Sequence, residues 1–162
     1  MVRSLALTVA LGALGAIGLG ALPAPADTGH SHRTFAAGAP GDPKKPARVV
    51  KITMREEDGD KRMLFEPNRL EVKRGEQVRF VLDNAGIYPH EFMLDTVEKN
   101  AKHAIEMKKN PDMEHDDPNG TRVPLAQTKE LVWRFTKAGT FEFACLIPGH
   151  YEAGMKGTVI VK

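Results

Sequence analysis

The chain has 162 residues, with 23 Lys and Arg against 21 Asp and Glu and a formal net charge of +2. A balance this close to neutral leaves no electrostatic footprint for nucleic acid, and no such partner is expected. The length suits one domain with an adequate core rather than two, and no repeat of solenoid or propeller period is visible.

Residues 1–26 open with one basic residue, Arg3, continue as an uncharged apolar run from Leu5 to Leu22 and end in Ala24-Pro25-Ala26. A short basic start, an apolar middle and a small-x-small end is the pattern of a secretory signal that is cut away on export. A run of 18 uncharged residues could also just span a bilayer as a retained anchor. Its Gly and Ala content and the cleavage pattern favour removal, so the expected location is the periplasm, or an equivalent exported space, with no membrane span in the mature chain. The 136 residues that remain carry 22 basic and 21 acidic side chains, a net charge of +1. One cysteine in an exported chain cannot form an internal disulfide, and a free thiol is a liability in an oxidising compartment, which favours a ligand role for Cys145.

Residues 27–47 are rich in Gly, Pro, Ala, Ser and Thr, show neither strand nor helix periodicity, and are predicted as a flexible leader. The leader carries His30 and His32, a pair that can chelate a divalent metal or simply stand in solvent. From Arg48 the pattern turns to period two, with Val50, Ile52 and Met54 on one face, followed by a charged turn over residues 56–61. Short strands are predicted around Met63 to Phe65 and around Leu70 and Val72, and Val78, Phe80 and Leu82 mark a half-buried strand over residues 77–84. The stretch N-A-G-I-Y-P-H-E-F-M-L-D then opens from a Gly-containing loop into an apolar run, with His90 at the junction. Pro89 keeps the backbone before it extended, and its carbonyl is a candidate weak donor to a metal.

Residues 96–110 break the strand rhythm, since Val97, Ala101, Ala104 and Met107 recur near helical spacing before Pro111, and a short surface helix is predicted. The acidic, turn-rich residues 112–121 belong to a long connection outside the sheets. This insertion holds His103, Met107, Met113 and His115, a candidate weak metal site, with scattered surface His and Met as the alternative. Leu131, Trp133 and Phe135 alternate in a strand that should pillar the core, and residues 139–145 and 158–162 supply the last two strands. About seven strands with one helical insertion suggest an all-β, Greek-key β-sandwich.

Those last two strands flank the loop C-L-I-P-G-H-Y-E-A-G-M, in which Pro148-Gly149 supplies a turn that presents His150. Cys145, His150 and Met155 offer thiolate, imidazole and thioether, the set that suits copper in both of its common oxidation states, soft sulfur for the reduced ion and imidazole for either. The spacing Cys-x4-His-x4-Met lets one loop fold three ligands onto a point, and a trigonal site needs one more histidine from elsewhere.

This loop and P-H-E-F together resemble the ligand segments of the cupredoxins, the plastocyanin, azurin and auracyanin-like blue-copper proteins, with the auracyanin-like loop spacing the nearest match. The resemblance runs over roughly residues 48–162, although the insertion is longer than small plastocyanins carry. It implies a type 1 copper site with His90, Cys145, His150 and Met155 as ligands, His150 as the electron port, and one-electron transfer as the function. It also implies an apolar rim of Leu146, Ile147, Pro148 and Tyr151 for transient docking of a redox partner. The chain also resembles exported cupredoxins associated with copper resistance, and the alternative is a copper-tolerance or trafficking protein that binds additional copper through the leader and residues 96–121, with His103, Met107, Met113 and His115 as a second, weaker copper site. An enzyme is not expected: copper oxidases place histidines on both sides of the site cysteine, where this chain has Ala144 and Leu146, and a binuclear centre needs a second cysteine where it has Gly149. In plastocyanin and azurin an asparagine follows the first histidine and tethers the ligand loop; here Glu91 stands in its place.

Overall fold

The computed structural model describes residues 35–59, 61–110 and 117–162. The signal segment, His30, His32, Met113 and His115 lie outside those residues. Among the described residues no helix is long and apolar enough to cross a membrane.

Ten strands and one helix follow in the order β1 (Gly38–Pro40), β2 (Arg48–Glu57), β3 (Arg62–Glu66), β4 (Arg69–Val72), β5 (Gln77–Asn84), β6 (His90–Asp95), α1 (Val97–Lys109), β7 (Gly120–Val123), β8 (Thr128–Phe135), β9 (Gly139–Ala144) and β10 (Lys156–Val161). They form two five-stranded sheets, β1-β8-β5-β2-β3 and β4-β10-β9-β6-β7. The predicted β-sandwich is therefore present. Its core is the alternate faces of the two sheets, with Ile52, Met54, Val78, Phe80, Leu82, Leu131, Trp133 and Phe135 from the first and Phe92, Leu94, Phe143, Val159 and Val161 from the second. Phe65 meets Phe143 edge-on at 5.2 Å and Phe80 meets Phe92 at 5.1 Å, so aromatic contacts bridge the layers.

Two strands escape the periodicity argument. β1 lies within the stretch expected to be a flexible leader, yet it pairs antiparallel with β8 from Gly38 opposite Phe135 to Pro40 opposite Trp133. Phe35 packs edge-on against Trp133 at 5.3 Å, and the Gln77 side chain accepts from the Asp42 amide and donates to the Asp42 carbonyl, so residues 35–42 are strapped to the sandwich. Gly38 has φ +146°, and any side chain there would collide with the Arg134 carbonyl, which is why glycine sits at this close approach. β7 begins at the end of the long connection and pairs with β6. Both are short edge strands with little apolar patterning, so their existence depends on the neighbours that offer free backbone groups.

The helix is capped as its sequence suggests, with the Thr96 hydroxyl accepting from the Lys99 amide, Glu98 in the first turn and Lys108 and Lys109 in the last. Its packing face differs from the expected one. Val97 and Ala101 are exposed, and the inward face is Asn100, Ala104 and Met107. Met107 joins Met93, Ala144 and Leu146 in a second small core between α1 and the outer face of the β6-β9 sheet. That cover explains why all six residues of β6 are buried. Glu142, on the outer face of β9, is buried beneath the helix and bonds both Asn100 Nδ2 and the Tyr151 hydroxyl.

Candidate metal centre

The upstream histidine and the C-terminal loop meet at one end of the sandwich. β6 is paired with β9, with Met93 opposite Ala144, so the first residue of β6, His90, lies beside the exit of β9 from which Cys145 emerges. The loop from Cys145 to Met155 is closed by its own backbone: Cys145 N–H donates to the Met155 carbonyl, Met155 N–H to the His150 carbonyl and His150 N–H to the Ile147 carbonyl, each at 3.0 Å. Gly149 takes φ +92°, the left-handed turn that brings His150 back toward the cysteine.

His90 Nδ1 and His150 Nδ1 stand 3.3 Å apart, and Cys145 Sγ is 3.3 Å from His150 Nδ1. One ligand atom from each of these three buried residues falls within 4.8 Å of the other two, and it is the one such His, Cys, Asp and Glu group among the described residues. An ion with metal–nitrogen bonds near 2.0 Å and a metal–sulfur bond near 2.3 Å, taken from zinc sites, would hold three coplanar ligands about 3.5–3.7 Å apart. The two 3.3 Å spacings, His90 to His150 and Cys145 to His150, need only a few tenths of an ångström of opening to match it. Met155 is fully buried and its backbone is bonded to that of Cys145, which puts the thioether residue at the same end of the core. Two imidazoles, a thiol and a neighbouring methionine fit copper by the softness and geometry of the donors.

Burial governs the protonation of this group. It pushes the Cys145 thiol up to about 12, against the lowering effect of amide N–H bonds from Glu91 and Ile147, so taking up a metal costs the thiol its proton. His150 is held down to about 4, first by burial and then by repulsion from the His90 ring when both would be protonated. His90 is lowered by burial, with Glu56 opposing. Both imidazoles are therefore neutral at neutral pH, with lone pairs available to a metal.

A histidine whose folded pKa lies below its unfolded one binds its proton more readily in the unfolded chain, so the stability it contributes is complete above the unfolded value and is lost as pH falls toward the folded one. For His150 that window runs from 6.5 down to about 4. The metal-free protein is expected to lose up to about 3 kcal/mol across it from this residue. Urea midpoints of the metal-free protein at pH 7 and pH 4.5 check this, and His150→Asn should flatten the drop.

Glu91 does the tethering that asparagine does in the resembling proteins. Its Oε2 accepts the Leu146 amide at 3.2 Å, and its own amide donates to Cys145 Sγ at 3.3 Å. Arg122 lies opposite it on β7. The expected apolar rim is rearranged. Leu146 is buried against Met93 and Met107, because α1 covers that side of the loop, while Ile147, Pro148 and Tyr151 are half-buried. Tyr88 is the exposed large side chain that meets His150, while Ile87 and Leu125 are exposed on the loops before β6 and after β7. Tyr88 meets the His150 ring at 6.3 Å, and Asn84 Nδ2 gathers both loops by donating to the Tyr88 and Pro124 carbonyls. His150 itself is 9% exposed. Pro89 is half-buried directly before His90.

Of the candidate second site, Met107 is buried in the small core and His103 lines a cavity of about 370 Å³ with Asp95, Asn100, Asp117 and Asn119, so the helix turns these two residues to different uses.

Sequence patterning passed over Glu56, assigned above to a charged turn. β2 runs on to Glu57, and Glu56 keeps the inward phase of Ile52 and Met54. Its Oε1 lies 3.0 Å from His90 Nε2. Period two continued by two residues would have found it.

A Greek-key sandwich with a buried His, Cys, His cluster at one end and a methionine beside it defines the cupredoxins, the class of type 1 copper proteins. The chain belongs to the copper-binding proteins of the plastocyanin/azurin family, whose profile matches residues 50–162. It is 47% identical over 153 residues to the copper-resistant cuproprotein CopI of Rubrivivax gelatinosus, covering 88% of this chain and 90% of that protein. It is 36% identical over 156 residues to the protein of the same name from Pseudomonas aeruginosa, covering 78% and 83%. Among solved structures, auracyanin B superposes with a TM-score of 0.62 at 25% identity, over 78% of this chain and 96% of auracyanin B. A multicopper oxidase shares the fold at 18% identity and a TM-score of 0.52, with 73% of this chain matching 45% of the oxidase.

Proposed function

We propose that this chain is an exported copper-tolerance protein that holds one copper ion through His90, Cys145, His150 and, axially, Met155. The observation that carries the reading is the convergence of three ligand atoms from two distant segments within 4.8 Å, in a buried pocket whose imidazoles are neutral. The relatives named for copper resistance, at 47% and 36% identity, support tolerance ahead of the respiratory role that the site alone suggests. Bound copper would supply a one-electron couple. The chain contributes a ligand loop closed by its own hydrogen bonds and tied down by Glu91, so the donors hold their places when the charge at the site changes.

One-electron transfer is the second reading, favoured by the exposed Tyr88, whose ring lies 6.3 Å from that of His150 and offers apolar surface for brief docking of a redox partner. Catalysis is not part of the proposal, since Cys145 is flanked by Ala144 and Leu146 and no second set of copper ligands adjoins it among the described residues. Export to the periplasm rests on the pattern of residues 1–26.

Deleting the gene should lower the copper concentration that cells tolerate and leave electron-transport rate unchanged. Complementation with the wild type should restore growth on copper, and the Cys145→Ser form should not. Unchanged copper tolerance with slowed electron transport would reverse the order of the two readings.

A further inference from the structure

Glu56 occupies a place that a carboxylate does not take without cause. Its side chain is 6% exposed, and both of its oxygens face the segment that carries His90. Oε1 stands 3.0 Å from His90 Nε2, and Oε2 accepts the Ile87 amide at 2.9 Å. Neither Oε1 nor Nε2 has a hydrogen-bond partner elsewhere among the described residues, so the two atoms have only each other. The neighbouring charges of β2 turn outward, where Arg55 pairs with Glu57 and Glu66, so His90 is the one ion-pair partner of Glu56 among the described residues. Gly86 leaves the room, because any side chain there would collide with the carboxylate. A buried carboxylate costs several kcal/mol unless it is answered by a partner. Here the partner is the face of His90 opposite to the one that meets Cys145 and His150.

We propose that Glu56 is a positioning residue for copper. Its carboxylate accepts from the Nε2–H of His90, which keeps the proton on that nitrogen and leaves the Nδ1 lone pair toward Cys145 and His150. Its negative charge, one imidazole away from the ion, raises the basicity of the ring and favours Cu(II) over Cu(I). Its second oxygen pins residue 87, so the same side chain holds both the ligand and the exposed loop in front of it. This rests on the copper reading of the site.

The test compares Glu56→Gln, which keeps the size and removes the charge, with Glu56→Ala, which removes both. In the metal-free protein, nitrogen NMR of the His90 ring should show the Nε2–H form in the wild type and a mixture of tautomers in Glu56→Ala. With copper, Glu56→Gln should lower Cu(II) affinity by about 10- to 100-fold in competition titrations. Cu(I) affinity should fall less, and the reduction potential should rise by about 59 mV for each tenfold change in the ratio.

An Nδ1–H form in the wild-type protein, or a potential in Glu56→Gln equal to that of the wild type, would overturn the proposal. Glu56→Gln carries the comparison if the alanine variant does not fold. A wild type that binds no copper would refute the copper reading instead, while the metal-free tautomer would still report on the Glu56–His90 pair.

Discussion

Cys145→Ser is expected to abolish the intense visible absorption that Cu(II) gives with the wild-type protein and to leave the fold in place. The sulfur is fully buried, 3.3 Å from His150 Nδ1, and accepts the Glu91 amide. A thiolate in that position gives copper a short covalent bond and a charge-transfer transition in the visible range, and a serine hydroxyl is too hard a donor to provide either. Serine is close in volume to cysteine and can still accept the Glu91 amide, so the burial of its hydroxyl is answered and the sandwich should survive. Copper affinity should fall with the colour, because the softest donor has gone. Cu(II) titration followed by visible absorption measures the effect, with far-ultraviolet circular dichroism as the check on folding. A colourless wild type, or a serine variant that keeps the band, would contradict thiolate coordination.

The largest stability effect should come from the other end of the core. Trp133→Ala removes a fully buried indole from β8, the strand that holds both β1 and β5. Trp133 lies opposite Pro40 on one side and Val78 on the other, and Phe35 packs edge-on against it at 5.3 Å. Truncating a buried aromatic to alanine costs about 3–5 kcal/mol, the transfer term plus the cavity left behind. That is a large part of the roughly 5–15 kcal/mol by which a domain is stable. Phe35 would also lose its seat, so the amides of Gly38 and Ala39 should exchange with solvent sooner than those of β5. Trp133→Phe should cost much less, since it keeps most of the packing and removes an indole nitrogen that has no hydrogen-bond partner among the described residues. Urea denaturation of the three proteins gives the comparison. A loss below about 1 kcal/mol for the alanine variant would mean that this part of the core relaxes around the gap.

The two sites were legible to different degrees. The alternation of Leu131, Trp133 and Phe135 is a local signal, and all three are buried where it puts them. The loop spacing from Cys145 to Met155 is local as well, and its internal hydrogen bonds close within the same eleven residues. The helix over residues 97–109 was visible from its spacing and from the proline that follows it, but which face it buries was not. Val97 has the right spacing and is exposed, because the surface that receives the helix, the outer face of β6 and β9, accepts Asn100 and Met107 instead. Leu146 went the same way: next to a ligand it looked like rim, and the helix above it made it core.

What this chain's residues determine by themselves are the features carried by short-range order: strand alternation, turn glycines, a capped helix and a ligand loop with its donors at fixed intervals. What only the tertiary structure decided are the relations between segments far apart in sequence. The strap of residues 35–42 across β8, the tether from Glu91 to the Leu146 amide and the approach of Glu56 to His90 each depend on which strand lies beside which. The physical reason is that periodicity records only that a side chain faces inward, whereas the partner it meets there is chosen by the pairing and packing of strands that share no local pattern.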